Sequence, residues 1–376
     1  MRKNVLFIFL IILFQPACNI AVKEEKKTAA NSEHMPEFAK RFSFDTLKSY
    51  RVIHFHNPWN PSEIQKKIVC VPKNQKMEPM GQQYTIIRTP IEKIVTMSGT
   101  QIAAISKLQK MGSIAGVDSK AYIINSQLKA RLARNEVKQV GRNGRFMIEK
   151  LMAMQPDAIL ISPFKNSSHE KLRELGLTVL PYADYLEEHP LGRAEWLKVL
   201  GILYGKEEQA VNMFQAITER YFSLKEKVAT VTSRPTVFAS KPYGGVWYMP
   251  GGESYMAHFF EDAGARYLWN NNANSGSLSL DFETVYAKAA NADFWRLVVS
   301  SDEPYTYNKL KNEDKRFADF RAFRRKKVLV CNIKNTPYYE RGALEPDNIL
   351  ADFVKAFHPA LMPDYQPTYF KIMQTP

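Results

Sequence analysis

Cysteine is scarce: three residues in 376, at positions 18, 70 and 331, and no two of them form a CxxC pair. Zinc-ribbon, thioredoxin-like and disulfide-framework readings therefore have no support. Histidine is nearly as sparse, with seven residues, and no HExxH motif or His-rich loop occurs. His54 and His56 share one face of a strand-like run, but a pair without a nearby third ligand reads as structural rather than as a metal site. There is no GxSxG elbow, and the GRNGRF segment lacks the further glycine and lysine of a phosphate loop. No catalytic constellation emerges. Acidic residues are outnumbered, 38 Asp plus Glu against 52 Lys plus Arg, which leaves a formal charge of +14. Such a balance favours anionic partners. The longest basic run is RRKK at 324–327, and zinc-finger and basic-zipper spacings are missing, so nucleic acid is not an expected partner. After the N-terminus no apolar run reaches the roughly 18 to 20 residues that a membrane span needs.

What is present points to a globular, exported chain. Apolar residues make up 45% and aromatics 12%, and the length suffices for two domains with real cores. The opening MRKNVLFIFLIILFQPAC has two cations, an apolar run from Val5 to Phe14, Pro16, and Ala17 directly before Cys18. That pattern reads as an export signal over 1–17. The placement of Cys18 is similar to a bacterial lipobox, although Gln15 departs from the usual leucine, and it implies a lipid-modified Cys18. Residues 18–35 are polar and without periodicity, a flexible tether. Cys70 and Cys331 sit in separate apolar runs, and their surroundings favour two buried thiols although export permits a disulfide.

Along the chain, residues 40–88 alternate polar and apolar in short runs, which predicts a small antiparallel β extension. From Pro90 strands and helices alternate with short links: IEKIVTMS, TQIAAISKLQKMG, IAGV, IEKLMAMQ, DAILIS, EKLRELG, LTVLPY. This is the pattern of βαβ units with a parallel sheet covered on both faces. A helical stretch starts near Leu191, pauses at Tyr204-Gly205 and continues to about Ala229. A second alternating series follows from TVFASK to NILADFVKAFHP. The expectation is an α/β protein of two Rossmann-like lobes with parallel-rich sheets, 36–205 and 233–376, joined by one long α-helix over 206–232.

Ligands of open α/β sheets sit at the carboxyl ends of strands, so the loops there are the place to look. Ser98, Gly99 and Thr100 are small and rich in donors, with a plain helix cap as the alternative reading. Tyr122 lies in the next loop. Arg142 and Arg145 in GRNGRF carry planar forks suited to carboxylates and phenolates, unless they are merely solvated. Trp247, Tyr248 and Tyr255 surround the Gly251-Gly252 turn as a flat apolar wall, with a core role the alternative. Tyr305, Tyr339 and Arg341 complete a basic and aromatic set that would suit a large, flat, anionic ligand. Glu149 and Glu283 both stand near the second position of a helix, where a carboxylate complements the helix dipole.

These segments, together with EEHPLGRAEWLKVLGILYGKEEQA, VWYMPGGESYMAHFFEDAGARYLW, LDFETVYAKAANADFW and YYERGALEPDNILADFVKAFHP, resemble the helix-linked (class III) substrate-binding proteins of ABC importers for ferric siderophores, haem and cobalamin. The resemblance runs from about Pro90 to Pro363. It implies two lobes on a helical hinge with the ligand cleft between them, a metal-chelate ligand whose iron or cobalt is cargo rather than a resident cofactor, and an ABC permease as partner. It also implies a lipid-anchored monomer in the cell envelope, facing the periplasm, and it assigns Glu149 and Glu283 to docking on permease arginines. Two alternatives stay open. One is an enzyme of the same shape, a chelatase or hydrolase using His189, His258 or Asp184. The other is a scavenging surface lipoprotein without an importer.

Overall fold

The computed structural model describes residues 36–120, 123–142, 145–165 and 169–375. The chain's first layer is a four-stranded sheet: β1 (Phe42–Leu47), β2 (Tyr50–Asn57), β3 (Asn60–Pro72) and β4 (Tyr84–Thr89), in that order. The first three pair antiparallel, as their short turns require. The fourth pairs parallel to β3, because the long 73–83 link carries the chain back along the sheet. The expectation of a purely antiparallel layer is corrected at this strand. Alternation gives the sheet two apolar faces. Phe42, Phe44, Ile53, Phe55, Ile68 and Cys70 pack into the neighbouring lobe, with Phe42 edge-on to Trp196 at 4.9 Å. Tyr50, Val52, Val69 and Val71 form a second small core under Met80 and Tyr84.

The first lobe contains β5 (Ile94–Thr96), α1 (Gly99–Lys107), β6 (Ile114–Val117), α2 (Ser126–Ala133), β7 (Lys138–Gln139) and a hairpin of β8 (Gly141–Arg142) and β9 (Arg145–Phe146). It closes with α3 (Ile148–Met154), β10 (Ala158–Ile161), α4 (Glu170–Glu174) and β11 (Val179–Pro181). The sheet order is β11-β10-β5-β6-β7, with every pairing parallel. Its strands are continuously apolar because both faces are covered. Ile94 and Leu160 belong to the core beneath the N-terminal sheet, whereas Val95 and Ile159 face Leu151 and Leu172 on α3 and α4.

Two short helices, α5 (Pro190–Glu195) and α6 (Leu197–Leu203), lead into α7 (Glu207–Ala229), 23 residues long. At 1.5 Å per residue α7 spans about 35 Å. Its apolar stripe serves both cores: Ala210 joins the first lobe, and Phe214, Ile217, Tyr221, Leu224 and Val228 join the second.

The second lobe runs β12 (Thr236–Ala239), β13 (Pro242–Tyr243), β14 (Val246–Pro250), α8 (Tyr255–Asp262), β15 (Arg266–Tyr267), β16 (Ser277–Leu280), α9 (Phe282–Ala289) and β17 (Phe294–Val299). Then come α10 (Tyr307–Glu313), α11 (Arg321–Arg324), β18 (Val328–Asn332), α12 (Tyr338–Arg341), α13 (Pro346–Phe357) and β19 (Lys371–Ile372). The main sheet is ordered β15-β12-β17-β18-β19, parallel except for the antiparallel β19. Asp352, fully buried on α13, anchors that last strand by accepting the N–H groups of Thr368, Tyr369 and Phe370. A separate antiparallel sheet, β13-β14-β16, flanks it. Cys70 and Cys331 are both buried free thiols.

Candidate ligand cleft

The lobes meet where α1 faces α12. Ser98 caps α1 by accepting from the Gln101 N–H, while the Gln101 side chain accepts from Met97 N at 2.7 Å. The next residue lies against the opposite lobe. A Cβ added at Gly99 would stand 3.3 Å from the Glu340 Cα, so glycine is what permits this approach. Thr100 then turns inward and its Oγ1 donates to Asp184 Oδ1 at 3.3 Å.

Asp184 and Arg193 form the floor of this junction. Asp184 follows β11 and Arg193 lies on α5, whose Pro190 starts the helix where no N–H bond is needed. Their side chains are 3% and 15% exposed, and Nη2 lies 3.7 Å from Oδ2, an ion pair without a hydrogen bond. Asp184 Oδ2 and Arg193 Nε are buried with no hydrogen-bond partner among the described residues. Burial pushes the Asp184 carboxyl up, and Arg193 offsets part of that push. A loosely held buried pair with open donor and acceptor positions is costly unless something satisfies it.

The second lobe supplies the aromatic side. The Arg193 guanidinium sits 4.5 Å above the Tyr255 ring, and Arg296 Nη2 donates to Tyr338 Oη at 3.1 Å. Tyr338 is buried, and its ring is 5.4 Å from that of Tyr339, which is exposed. Beside this lies a cavity of 300 Å³ shared by both lobes, with Ala103, Lys107 and Asn125 on one side and Glu340, Arg341 and Leu344 on the other. Arg341 bonds Glu345 at 2.7 Å, and Lys107 approaches the same carboxylate at 3.5 Å across the junction. Burial raises the Glu340 carboxyl, while the N–H groups of Ile124 and Asn125 opposite it act in the other direction.

The junction thus brings together Ser98, Gly99, Thr100, Tyr255, Tyr339 and Arg341 of the residues expected from sequence. Trp247 is a correction: it is fully buried, donates Nε1–H to Ala239 O and packs against Phe238 and Trp295. Its strand alternation points it into the core and leaves Tyr248, on the other face of β14, exposed. Tyr305 is buried in a cluster with Lys241 and Glu313, where its hydroxyl donates to the Glu313 carboxylate at 2.7 Å. Arg145 is exposed on the β8–β9 hairpin. Tyr122, Cys18 and the Arg142 side chain lie outside the described residues. Sequence reading named Tyr338 with Tyr339 in PYYERG, missed Arg193, Arg296 and Glu340, and took Asp184 only as a catalytic acid of the enzymatic alternative. A usable signal was present, since Arg193 and Glu195 are the two charges in PLGRAEWL, whose other residues are apolar.

Of the two histidines in the enzymatic alternative, His189 has a structural role. His189 Nδ1 accepts from Leu191 N at 3.1 Å, capping α5, and its ring stacks on Phe38 at 4.9 Å. Among the described residues no cluster of three His, Cys, Asp or Glu could hold a metal. Glu149 and Glu283 each occupy the second position of their helices, α3 and α9, and both are exposed. In a parallel βαβ unit such helix starts lie at the carboxyl edge of the sheet, the cleft side. Met147 provides no side-chain cap to α3, whereas Asp281 accepts from Thr284 N at 2.6 Å. Glu283 also meets Arg316 at 3.3 Å within its own lobe.

Two α/β lobes hinged on a helix, with a polar and aromatic junction between them, define a solute-binding architecture. The chain belongs to the periplasmic binding protein family, which matches residues 94–333. Two uncharacterised lipoproteins of Methanocaldococcus jannaschii are each 25% identical to it. One aligns over 81% of this chain and 77% of its own length, the other over 99% and 100%. Among solved structures, a periplasmic heme binding protein from Pseudomonas aeruginosa has a TM-score of 0.59 at 20% identity, covering 76% of this chain and 99% of that one. The TroA-like periplasmic binding protein FepB from Veillonella parvula has a TM-score of 0.58 at 18% identity, with coverages of 76% and 96%. These likenesses concern the fold. As a family member the chain is a solute-binding protein rather than an enzyme.

Proposed function

We propose that this chain is the substrate-binding component of an ABC importer that captures an anionic iron chelate, a ferric siderophore or haem in preference to the less charged cobalamin, and delivers it to a membrane permease. The observation that carries this reading is the buried Asp184–Arg193 pair, left with open hydrogen-bonding positions between two lobes and flanked by Tyr255 and Tyr338. A guanidinium held over an aromatic ring suits a carboxylate or phenolate on a flat ligand. Lipid attachment at Cys18 in the cell envelope accords with relatives that are named lipoproteins. Replacing Cys18 by Ala should release the protein from the membrane pellet, because the acyl chains supply the anchoring.

The deciding experiment is the mass and absorption spectrum of whatever copurifies after iron-limited growth, followed by titration of wild type and Arg193→Gln with that compound. A haem or iron-chelate chromophore whose affinity falls roughly tenfold or more in the variant supports the reading. A different class of solute, or an unchanged affinity, overturns it.

A further inference from the structure

A second pocket lies away from the lobe junction, between the N-terminal sheet and the β11 edge of the first lobe. It encloses 480 Å³ and takes its lining from both sides: Trp59, Lys66 and Lys67 from the sheet, and His169, Arg173 and Pro181 from the lobe. The sheet residues precede the family-matched segment, which begins at residue 94. This pocket therefore depends on the extension.

Its charge is one-sided. Lys66 Nζ donates to the Val179 carbonyl at 2.9 Å, and among the described residues the lining holds Lys66, Lys67 and Arg173 but no carboxylate. Both ring nitrogens of His169 are buried without a hydrogen-bond partner among the described residues. Burial, and then the neighbouring Arg173 charge, push the Lys66 ammonium down to about 8 and lower the His169 imidazole as well. Converging cations that oppose one another's charge, beside an imidazole with no partner among the described residues, favour a bound counter-ion. Trp59 and Ile64, each 44% exposed, add an apolar wall at the mouth.

We propose that this pocket binds a small organic anion, a carboxylate or phosphate group carried on a body with an apolar face, independently of the ligand in the cleft. Arg173, Lys66 and His169 hold the charged group, and Trp59 covers the rest.

The test is titration of the full chain with citrate, with inorganic phosphate and with sodium chloride at matched ionic strength. Trp59 is the reporter, since Trp196, Trp247, Trp269 and Trp295 are at most 6% exposed. Saturable fluorescence change and heat with citrate, phosphate or both is the expected result, and which of them saturates identifies the charged group. Arg173→Met, at an exposed position, should weaken binding roughly tenfold, as should Lys66→Met. If Lys66→Met disturbs the sheet, the imidazole resonance of His169, identified by its loss in His169→Gln, serves instead and should shift on saturation. No saturation, an equal response to chloride, an unmoved His169 resonance or full affinity in Arg173→Met each overturns the proposal.

Discussion

Among the histidines that burial pushes down, His54, His169, His189 and His358, His189 has the largest shift and should do most to weaken the protein in acid. Its ring is packed on Phe38, 5.7 Å from the ring of His258, and its Nδ1 accepts the first free N–H of α5, the helix that carries Arg193. Burial pushes the imidazole from 6.5 down to about 4; Asp262 acts against this, and His258, Lys225 and Lys40 act with it. Above pH 6.5 the ring is neutral in both the folded and unfolded chain, so it adds no pH dependence. Between 6.5 and 4 the unfolded chain takes up a proton that the folded one refuses, and stability falls as pH falls. Below 4 both are protonated and the loss is complete. The full shift corresponds to about 3.4 kcal/mol at 1.36 per pH unit, and partial solvent exposure of the ring reduces this to about 2 kcal/mol.

Other buried groups contribute in the same window with the opposite sign. Asp184, Glu187 and Asp352 have carboxyls raised by burial, so the folded chain holds their protons more tightly. The comparison that isolates His189 is therefore wild type against His189→Asn, which keeps a good N-cap acceptor but cannot titrate. Urea unfolding from pH 7.5 to 4 should show wild type losing about 2 kcal/mol more than the variant, with most of the divergence below pH 6. Parallel curves would refute the reasoning, whatever the absolute stabilities.

Trp247→Ala should cost about 3–5 kcal/mol in urea unfolding, as a large core cavity does, yet leave ligand affinity of the folded fraction unchanged. Asp352→Ala strands the N–H groups of Thr368, Tyr369 and Phe370, and should cost about 3 kcal/mol or more together with loss of amide protection in β19. Neutralising Glu149 and Glu283 to Gln should abolish ligand-stimulated transport in reconstituted vesicles with ligand affinity kept; normal transport with a loss of about 0.3–1 kcal/mol each would return both to helix-dipole roles.

The lobes and the hinge were readable because their signals are periodic. Ile114–Val117 and Ala158–Ile161 are apolar runs bounded by turns, Phe294–Val299 is apolar but for Arg296, and α7 repeats its buried residues at helical spacing. The parallel pairing of β4 was not readable, since only the path of the 73–83 link decides it. Trp247 and Tyr248 show the limit at the site. Adjacent in sequence and equally aromatic, they differ by one step of strand alternation, which sends one into the core and the other to solvent. Arg193 was missed for a related reason: a charged residue in an apolar segment signals burial, but its neighbours Asp184, Tyr255 and Tyr338 are assembled only by the approach of the two lobes.

That approach can be tested by a substitution that pulls local and global stability apart. Gly99 is the first residue of α1, where a larger side chain generally favours helix formation by up to about 1 kcal/mol relative to glycine. On local grounds Gly99→Leu should stabilise the first lobe. A side chain there, however, projects into the backbone of Glu340 on the other lobe, 3.3 Å away even for a lone Cβ. The lobes must then part, loosening the contacts of Lys107 with Glu345 and of Glu340 with the N–H groups of Ile124 and Asn125. Since Thr100 reaches Asp184 from the same helix, the floor of the cleft would be exposed as well. The expected outcome is a larger radius of gyration by small-angle scattering and weaker binding of the cleft ligand, with each lobe's amide protection intact. An unchanged radius and affinity would mean that α1 and α12 do not set the closed geometry, and the ligand contacts would have to be sought outside this junction.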